Sequence, residues 1–245
     1  MLTISNITKS FSGLFEPVLN GITLSLQEGA FCTLIGANGS GKSTLLRIIS
    51  GESLADSGTI RRRGAVSQVV QDVSRGTIPS MTMLENMALG GMQAPRFAFY
   101  RRHKNEILEK IRSLNMGLEK HIDQPLQVLS GGQRQAVATL MALHSGSKIL
   151  LLDEHTSALD PNMQRLLMEV TAQSVRALGL TTLMITHNME DAVRYGDRLV
   201  MLHKGQIVVD VQGREKSRLK VQSLLDRFHK FEDQNLLHGR SEHAC

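Results

Sequence analysis

Two features of the 245-residue chain indicate an α/β fold with a largely parallel sheet and an inserted helical subdomain. Strand-like runs alternate with helical stretches from the start to about Val211, which is typical of parallel strands covered by helices. From Ser80 to about Gly131 the strands stop and helical segments take over. We therefore expect one domain, with a core in about residues 1–79 and 132–212, a helical subdomain in about 80–131, and a C-terminal helix and tail in 213–245.

Short apolar runs predict the strands. Residues 1–11 alternate polar and apolar side chains, a pattern typical of an edge strand. Continuous apolar runs predict buried strands at 31–35, 65–71, 148–152 and 181–185. These buried strands are the expected centre of the sheet.

Apolar residues at helical spacing predict the helices. The run after Thr44, the stretch 83–92 and the stretch after Pro95 are helical by this criterion. Four apolar residues of the last stretch share one face: Ile107, Leu108, Ile111 and Leu114. Residues 221–231 predict an amphipathic C-terminal helix, and the polar tail from Asp233 is expected to be loose.

Composition and charge exclude several classes of protein. No apolar run approaches the roughly 20 residues that span a bilayer, and the start lacks the basic and apolar regions of a signal peptide, so we expect a cytoplasmic protein. The net charge is +5, but the basic residues are dispersed apart from 61–63 and 101–104, so nucleic acid is not an expected partner. Cys32 and Cys245 lack metal-binding spacing and are expected to be structural or incidental.

A glycine-rich turn between a predicted strand and a predicted helix contains the strongest functional signal. Gly36, Gly41, Lys42 and Ser43 fit the pattern G-x-x-x-x-G-K-[ST]. Glycines allow backbone N–H groups to surround phosphate oxygens, the lysine reaches the terminal phosphates, and the serine hydroxyl can bind Mg²⁺. The pattern therefore predicts a nucleotide site.

Two carboxylates directly follow the predicted strand 148–152. Ligands of a parallel α/β sheet lie beyond the carboxyl ends of the strands, so Asp153 and Glu154 are expected beside the same phosphates. Asp153 is the candidate Mg²⁺ ligand, and Glu154 is the candidate base that takes a proton from an attacking water. In the alternative interpretation, both acids only cap the next turn.

The stretch LSGGQRQ, residues 129–135, resembles the signature motif of the ATP-binding-cassette (ABC) ATPases. The resemblance covers almost the whole chain and implies a P-loop nucleoside triphosphate hydrolase fold with an N-terminal antiparallel β subdomain and an inserted α-helical subdomain. It also implies that ATP and Mg²⁺ are bound. It favours Gln71 over Gln68 as the glutamine that senses Mg²⁺ and the attacking water, because Asp72 follows Gln71 as the family pattern requires.

The resemblance assigns roles to individual positions. The implied catalytic residues are Glu154, Gln71 and His187, which matches the switch histidine of the family. The implied nucleotide-binding residues are Phe11, which matches the aromatic residue that stacks on adenine, and Gly36, Asn38, Gly39, Ser40, Gly41, Lys42, Ser43, Thr44, Ser130, Gly131, Gly132, Gln133 and Asp160. The implied Mg²⁺ ligands are Ser43, Gln71 and Asp153.

The resemblance also implies a head-to-tail homodimer in the ATP-bound state. The helix that begins near Ser130 would face the γ-phosphate held by the other subunit, and the loop from Ser157 to Asp160 would contact that subunit. Hydrolysis would then open the dimer and move whatever is attached to it. The implied assembly includes an integral-membrane permease and, through it, a substrate-binding protein, which places the chain at the cytoplasmic face of the cell membrane.

His155 departs from the resemblance, because most of the family has proline at this position. Proline would fix a backbone angle that histidine leaves free. Either the variant is tolerated, or His155 has a pH-sensitive role. The stretch LDEHTSALDP, together with residues 71–90, resembles a branch of bacterial importer ATPases that is often assigned to amino acids.

Three functions remain open at this point: an importer ATPase subunit, a non-transport ABC ATPase of the iron–sulfur assembly kind, and an ABC ATPase that acts on nucleic acid. The helical segment is too short for the long coiled coil of the nucleic-acid class. The methionines Met81, Met83, Met87 and Met92 favour transport, because methionine-rich faces adapt to partners, although core packing also explains them.

A short permease helix is expected to dock between about Asp72 and Tyr100, because this segment follows Gln71 and would respond to nucleotide binding. The expected apolar anchors are Met81, Met83, Leu84, Met87 and Phe97, with Arg101 and Arg102 at the rim.

Overall fold

The computed structural model describes residues 1–91, 100–112 and 114–227. The strands are β1 (Leu2–Lys9), β2 (Leu19–Leu26), β3 (Phe31–Ile35), β4 (Ser57–Arg62), β5 (Val66–Val69), β6 (Ile149–Asp153), β7 (Thr181–Ile185), β8 (Arg198–His203) and β9 (Gln206–Gln212). The α-helices are α1 (Lys42–Ser50), α2 (Met83–Gly91), α3 (Lys104–Arg112), α4 (Gly131–Leu143), α5 (Pro161–Leu178), α6 (Met189–Arg194) and α7 (Gly213–Ser217). Residues 221–227 are also helical.

A six-stranded sheet in the order β5-β6-β7-β3-β8-β9 forms the centre of the fold. All its strand pairs are parallel except β8 and β9. Every residue of β3 and β7 is buried, which explains their continuous apolar sequences. Strand β6 lies one residue later than predicted, so that Asp153 is its last residue. The predicted α/β fold is confirmed, and the carboxyl ends of β3, β6 and β7 meet at one edge.

Strand β1 is the central strand of a second, antiparallel sheet in the order β2-β1-β4. The prediction of an edge strand is therefore wrong. Leu2, Ile4 and Ile7 are buried, whereas the other residues of β1 are partly or fully exposed. This alternation shows that one face of β1 is covered. Central and edge strands of an antiparallel sheet can both have one covered face, so the alternation does not distinguish them. The buried face belongs to the same apolar cluster as Leu45 and Leu46 of α1.

Between β5 and α4 the described residues form α2, α3 and short 3₁₀ helices joined by turns and loops, and α2 and α3 both contact α4. Ile107, Ile111 and Leu114 are buried, and Leu108 packs against the same cluster, as their shared face predicted. The exact boundaries of a helical subdomain, and of the C-terminal extension, remain predictions.

The methionines of α2 belong to the core. Met83, Leu84 and Met87 are only 0%, 3% and 3% exposed, so the prediction that they form exposed anchors for a permease helix is wrong. Helix α2 turns this apolar face towards α4, whose residue Leu140 lies in the same cluster. Met81 is half-buried, whereas Phe97 and Met92 lie outside the described residues.

Residues 213–227 pack against the antiparallel edge of the large sheet. Leu224 is fully buried in a cluster with Leu199, Val209 and Val211. The helix predicted over 221–231 is present over 221–227, and the remainder of that prediction, with the tail, lies outside the described residues. Within residues 1–91, 100–112 and 114–227, no helix combines the length and apolar character that crossing a membrane requires.

Candidate active site

The glycine-rich turn connects the carboxyl end of β3 to α1, and two of its glycines have no space for a side chain. A Cβ on Gly36 would lie 2.2 Å from the carbonyl oxygen of Leu202, and a Cβ on Gly41 would lie 2.6 Å from that of Val18. Their φ angles are 154° and 102°, which side chains disfavour. The fold therefore requires glycine at both positions.

Lys42 lies within this turn. Its Nζ donates hydrogen bonds to the carbonyl oxygens of Gly36, at 2.8 Å, and Ala37, at 2.9 Å. Burial lowers the pKa of Lys42, while Glu154 and Asp153 oppose this shift. Gly41 precedes α1 and makes no side-chain capping bond, so the helix begins with backbone N–H groups and a cation, a combination that binds phosphate.

The two predicted acids lie at the end of β6. Burial raises the pKa of Asp153 and the neighbouring Glu154 raises it further, whereas a hydrogen bond from Ser43 lowers it. Glu154 has a left-handed backbone conformation with a φ angle of 50°. This conformation costs a non-glycine residue about 1–2 kcal/mol. Such strained residues are concentrated at functional sites.

His187 follows β7 and contacts Glu154, with 2.5 Å between His187 Nε2 and Glu154 Oε1. The parallel pairing of β6 with β7, in which Asp153 lies opposite Ile185, brings the two strand ends together. The next residue, Asn188, caps α6 by accepting hydrogen bonds from the backbone N–H groups of the first helical turn. His187 is therefore held between a buried strand and a capped helix.

A cavity of about 460 Å³ opens at the phosphate loop, a size typical of small-molecule sites. It is lined by Leu14, Val18, Asn38, Gly39, Gly41, Lys42, Ser43, Thr44, Glu154 and His187. Sequence reasoning missed Leu14 and Val18, because an apolar residue in a loop carries no local signal of ligand contact. Phe11 lies outside this lining and is 45% exposed, with Lys9 Nζ 5.4 Å from its ring centre.

Other predicted site residues also lie outside the lining, namely Gly36, Ser40, Gln71, Ser130, Gly131, Gly132, Gln133, Asp153 and Asp160. Ser130 and Gln133 form a reciprocal capping box at the start of α4. Asp160 caps α5. Gln71 is exposed beyond the end of β5, whereas Gln68 lines a separate cavity of about 150 Å³.

The residues around the cavity fit a nucleotide with Mg²⁺. Ser40 Oγ is buried and has no hydrogen-bond partner among the described residues, which leaves it available to a bound phosphate. The Ser43 hydroxyl and the Asp153 carboxylate are oxygen donors of the kind that Mg²⁺ prefers. No cluster of three or more His, Cys, Asp or Glu residues in the described ranges is placed to hold a metal ion. Mg²⁺ bound together with substrate phosphates needs only one or two carboxylates from the protein.

Comparison with known proteins decides the family. The profile of the ABC transporter family matches residues 19–157. The chain belongs to the ABC transporter family. A tyrosine transport ATP-binding protein of Clostridioides difficile is 42% identical to this ABC protein, over 93% of this chain and 98% of that protein. An aliphatic sulfonates import ATP-binding protein of Agrobacterium fabrum is 36% identical, over 91% and 83%.

A solved structure extends the comparison to the fold. The dimeric structure of an ATP-binding cassette in a post-hydrolysis state, bound to ADP and Pi, has a TM-score of 0.72 and 27% identity, covering 86% of this chain and 98% of that one. That cassette binds ADP and Pi, the products of the ATP hydrolysis that we expect at the cavity of this chain. The chain is thus the ATP-binding subunit of an ABC transporter, and it is an ATPase.

His155, at the position where the resemblance implies proline, is a buried residue rather than part of the cavity lining. It is 1% exposed, and its Nε2 lies 3.5 Å from Thr171 Oγ1. Burial lowers the pKa of His155 from 6.5 to about 4. These contacts support the interpretation of a tolerated packing variant.

The low pKa of His155 predicts a specific pH dependence of stability. Between about pH 6.5 and pH 4 the unfolded state is protonated at His155 and the folded state is not. The free energy of unfolding should therefore decrease as the pH is lowered through this range. The contribution of His155 is about 3 kcal/mol over this range. Urea unfolding at several pH values should show a steeper loss of the free energy of unfolding on acidification for the wild type than for His155→Gln. Parallel pH profiles of the two proteins would contradict a neutral, buried His155.

Proposed function

We propose that this subunit hydrolyses ATP to power a bacterial importer, which takes up an amino acid delivered by a separate substrate-binding protein. The contact of 2.5 Å between Glu154 and His187 beside the phosphate loop is the observation that carries the chemistry. The 42% identity to a tyrosine transport ATP-binding protein supports the substrate class. The 36% identity to a sulfonates import protein means that the substrate needs its own test.

Each residue of the site has a separate proposed role. Lys42 and the backbone N–H groups of 39–44 bind the β- and γ-phosphates, and Leu14 and Val18 contact the base together with Phe11. Ser43, Asp153 and Gln71 hold Mg²⁺, which neutralises charge on the phosphates when it is bound. Glu154 accepts the proton of the attacking water. His187 orients Glu154 and binds the γ-phosphate.

A second copy of the chain completes the site in this proposal. The N-terminus of α4, with Ser130, Gly131, Gly132 and Gln133, faces the γ-phosphate held by the other subunit, and Asp160 lies in the loop that contacts that subunit. The positive end of the helix dipole favours this arrangement, because it faces a negative charge. The dimeric state of the similar solved cassette supports it.

The permease docks, in this proposal, at the cavity of about 150 Å³ near Gln71 rather than on the buried methionines of α2. This cavity is lined by Ser67, Gln68, Val69, Val70, Gly76, Gly90, Ala138, Met141, Ala142 and Ser145. Residues on both sides of Gln71 form part of the wall, so a movement of Gln71 towards the nucleotide changes its shape. Ile78 and Leu89, which are 40% and 46% exposed, adjoin this wall in sequence and provide apolar contacts for a permease helix. The permease then holds the chain at the cytoplasmic face of the membrane.

Cysteine cross-linking tests the docking surface. In membranes that contain the whole transporter, Leu89→Cys and Ile78→Cys are expected to cross-link to the permease. Leu178→Cys is the matched control, since Leu178 is 45% exposed but lies on α5. Leu89→Glu should also reduce recovery of the complex, because a charge in an apolar contact is costly. Cross-links at Leu178 with none at Leu89 and Ile78 would place the permease elsewhere.

The substrate class is tested with the transporter in proteoliposomes. ATP hydrolysis should rise when the substrate-binding protein is loaded with an aromatic amino acid and should not rise with an aliphatic sulfonate. The reverse result would make the chain a sulfonate importer subunit. Stimulation by neither compound would remove both assignments.

A further inference from the structure

A part-buried hydrogen bond, whose acceptor residue is buried, joins the two helices that lead away from the catalytic region. Helix α5 follows the loop 157–160, and helix α6 follows His187 and Asn188. The side-chain amide of Gln164, on α5, donates from Nε2 to Asp191 Oδ2, on α6, at 3.1 Å. Asp191 is 8% exposed, and within residues 1–91, 100–112 and 114–227 its carboxylate has no other hydrogen-bond donor.

Gln164 and Asp191 are each hydrogen-bonded to a residue next to a functional segment, Gln164 to Asp160 of the loop 157–160 and Asp191 to Asn188, which follows His187. The backbone N–H of Gln164 donates to the carbonyl oxygen of Asp160 at 2.8 Å, and the Asp160 carboxylate caps the same helical turn. On the other side, the backbone N–H of Asp191 donates to Asn188 Oδ1 at 3.2 Å. The loop 157–160 therefore moves with Gln164, and the residue after His187 moves with Asp191.

The far end of α6 is fixed independently. Lys216 Nζ, from α7, donates to the carbonyl oxygens of Val193 at 2.5 Å and Tyr195 at 3.2 Å. Lys216 itself is buried, at 3% exposure. Because the C-terminal end of the short helix α6 is held in this way, a movement of Gln164 can displace only the N-terminal end of α6, which adjoins His187.

We propose that the Gln164–Asp191 hydrogen bond positions His187 in response to the partner-facing loop 157–160. This inference rests on the proposed roles of His187 and of the dimer. When the second subunit displaces the loop, Gln164 shifts Asp191, and His187 changes its distance from Glu154. Gln164 contacts no nucleotide in this scheme and is a positioning residue.

Charge makes the contact specific. Burial raises the pKa of Asp191, the hydrogen bond from Gln164 lowers it, Glu190 raises it and Arg194 lowers it. A carboxylate that is buried without its donor is unfavourable and moves towards water. Loss of the Gln164 amide would therefore displace the beginning of α6, and with it His187.

A second link between the same helices provides a matched control. Arg194 Nη2 lies 3.1 Å from Glu169 Oε1, and the two side chains are 60% and 47% exposed. Exposed ion pairs of this kind contribute little. Glu169→Gln should therefore leave the positioning of His187 unchanged.

Steady-state hydrolysis by the full chain gives the first test. Gln164→Leu retains the approximate size of the side chain and removes the donor, so kcat should fall about tenfold while KM for ATP stays within about twofold. Glu169→Gln should keep both constants within about twofold. An unchanged kcat for Gln164→Leu, in an assay where Glu154→Gln stops hydrolysis, would overturn this inference and leave the proposed function intact. Full hydrolysis by Glu154→Gln would instead contradict the proposed function.

Reversing the polarity of the pair gives the second test and does not depend on Gln164→Leu being folded. Gln164→Glu places two carboxylates together, so kcat should be low at pH 8 and recover at pH 6, where they share a proton. Gln164→Glu/Asp191→Asn restores a donor and an acceptor, and its kcat should lie within about threefold of the wild type at both pH values. A double variant with the wild-type melting temperature and a kcat still about tenfold low would overturn the inference, as would a pH-independent deficit in Gln164→Glu.

Discussion

Glu154→Gln should reduce ATP hydrolysis by roughly 10²- to 10⁴-fold and leave ATP binding intact. The carboxylate of Glu154 lines the cavity at the phosphate loop, and its Oε1 lies 2.5 Å from His187 Nε2. Glutamine has the same shape and can still contact His187. An amide cannot accept the proton of the attacking water, so the chemical step is lost while the contacts to the phosphates remain.

Phosphate release and ATP titration measure the two effects separately. Glu169→Gln, an exposed glutamate on α5, makes the same chemical change away from the cavity and should retain full activity. Turnover by Glu154→Gln within about tenfold of the wild type would remove Glu154 from the role of base. A large loss of ATP affinity would show that Glu154 contributes to binding instead.

The same variant should accumulate as an ATP-bound dimer, because in the proposed cycle the dimer opens only after ATP is hydrolysed. Sedimentation with and without ATP measures this association. Adding Ser130→Arg should return the protein to monomers, since a bulky cation at the start of α4 would occupy the place of the partner's γ-phosphate. A dimer that persists in the double variant would mean that α4 does not lie at the interface.

The phosphate loop could be predicted from the sequence because its requirements are local. Gly36 and Gly41 are fixed by close backbone contacts and left-handed dihedrals, and Lys42 reaches two carbonyls of its own turn. The acids at the end of β6 were predictable for a related reason, since parallel strands deliver their next residues to one edge. The structure places Lys42 and Glu154 in the lining of one cavity.

Burial and strand order could not be predicted in the same way. The alternation of β1 is equally compatible with a central or an edge strand, and the structure makes it central. An apolar methionine face on α2 fits either a partner or a core, and the contact with α4 decides for the core. In both cases the local pattern shows that one face is covered, and only the tertiary fold shows what covers it.

Contacts between distant segments were also beyond the sequence. Gln164 and Asp191 are 27 residues apart, and each resembles an ordinary polar residue near the start of a helix. The left-handed conformation of Glu154 has no signal either, because glutamate rarely adopts it. Such features arise from the packing of several elements, and they are where the structure adds most to the account of the active site.

Lys42→Ala should weaken ATP binding itself, by roughly tenfold to a hundredfold. The Nζ of Lys42 bonds to two neutral carbonyl oxygens of the turn, and charge-assisted bonds to phosphate are stronger, so an incoming nucleotide recruits the ammonium group. Alanine removes both this attraction and the cation that balances Asp153 and Glu154. The change therefore affects binding before any chemical step, in contrast to Glu154→Gln.

Titration calorimetry with ATP and Mg²⁺ gives the affinity, and thermal unfolding of each variant shows that the fold is kept. Lys148→Ala is the matched control, because Lys148 is an exposed lysine that precedes β6 at the opposite edge of the sheet. It should bind ATP as the wild type does. If Lys42→Ala is folded and binds ATP with unchanged affinity, the phosphates do not lie in the glycine-rich turn, and the cavity beside Glu154 and His187 has another ligand.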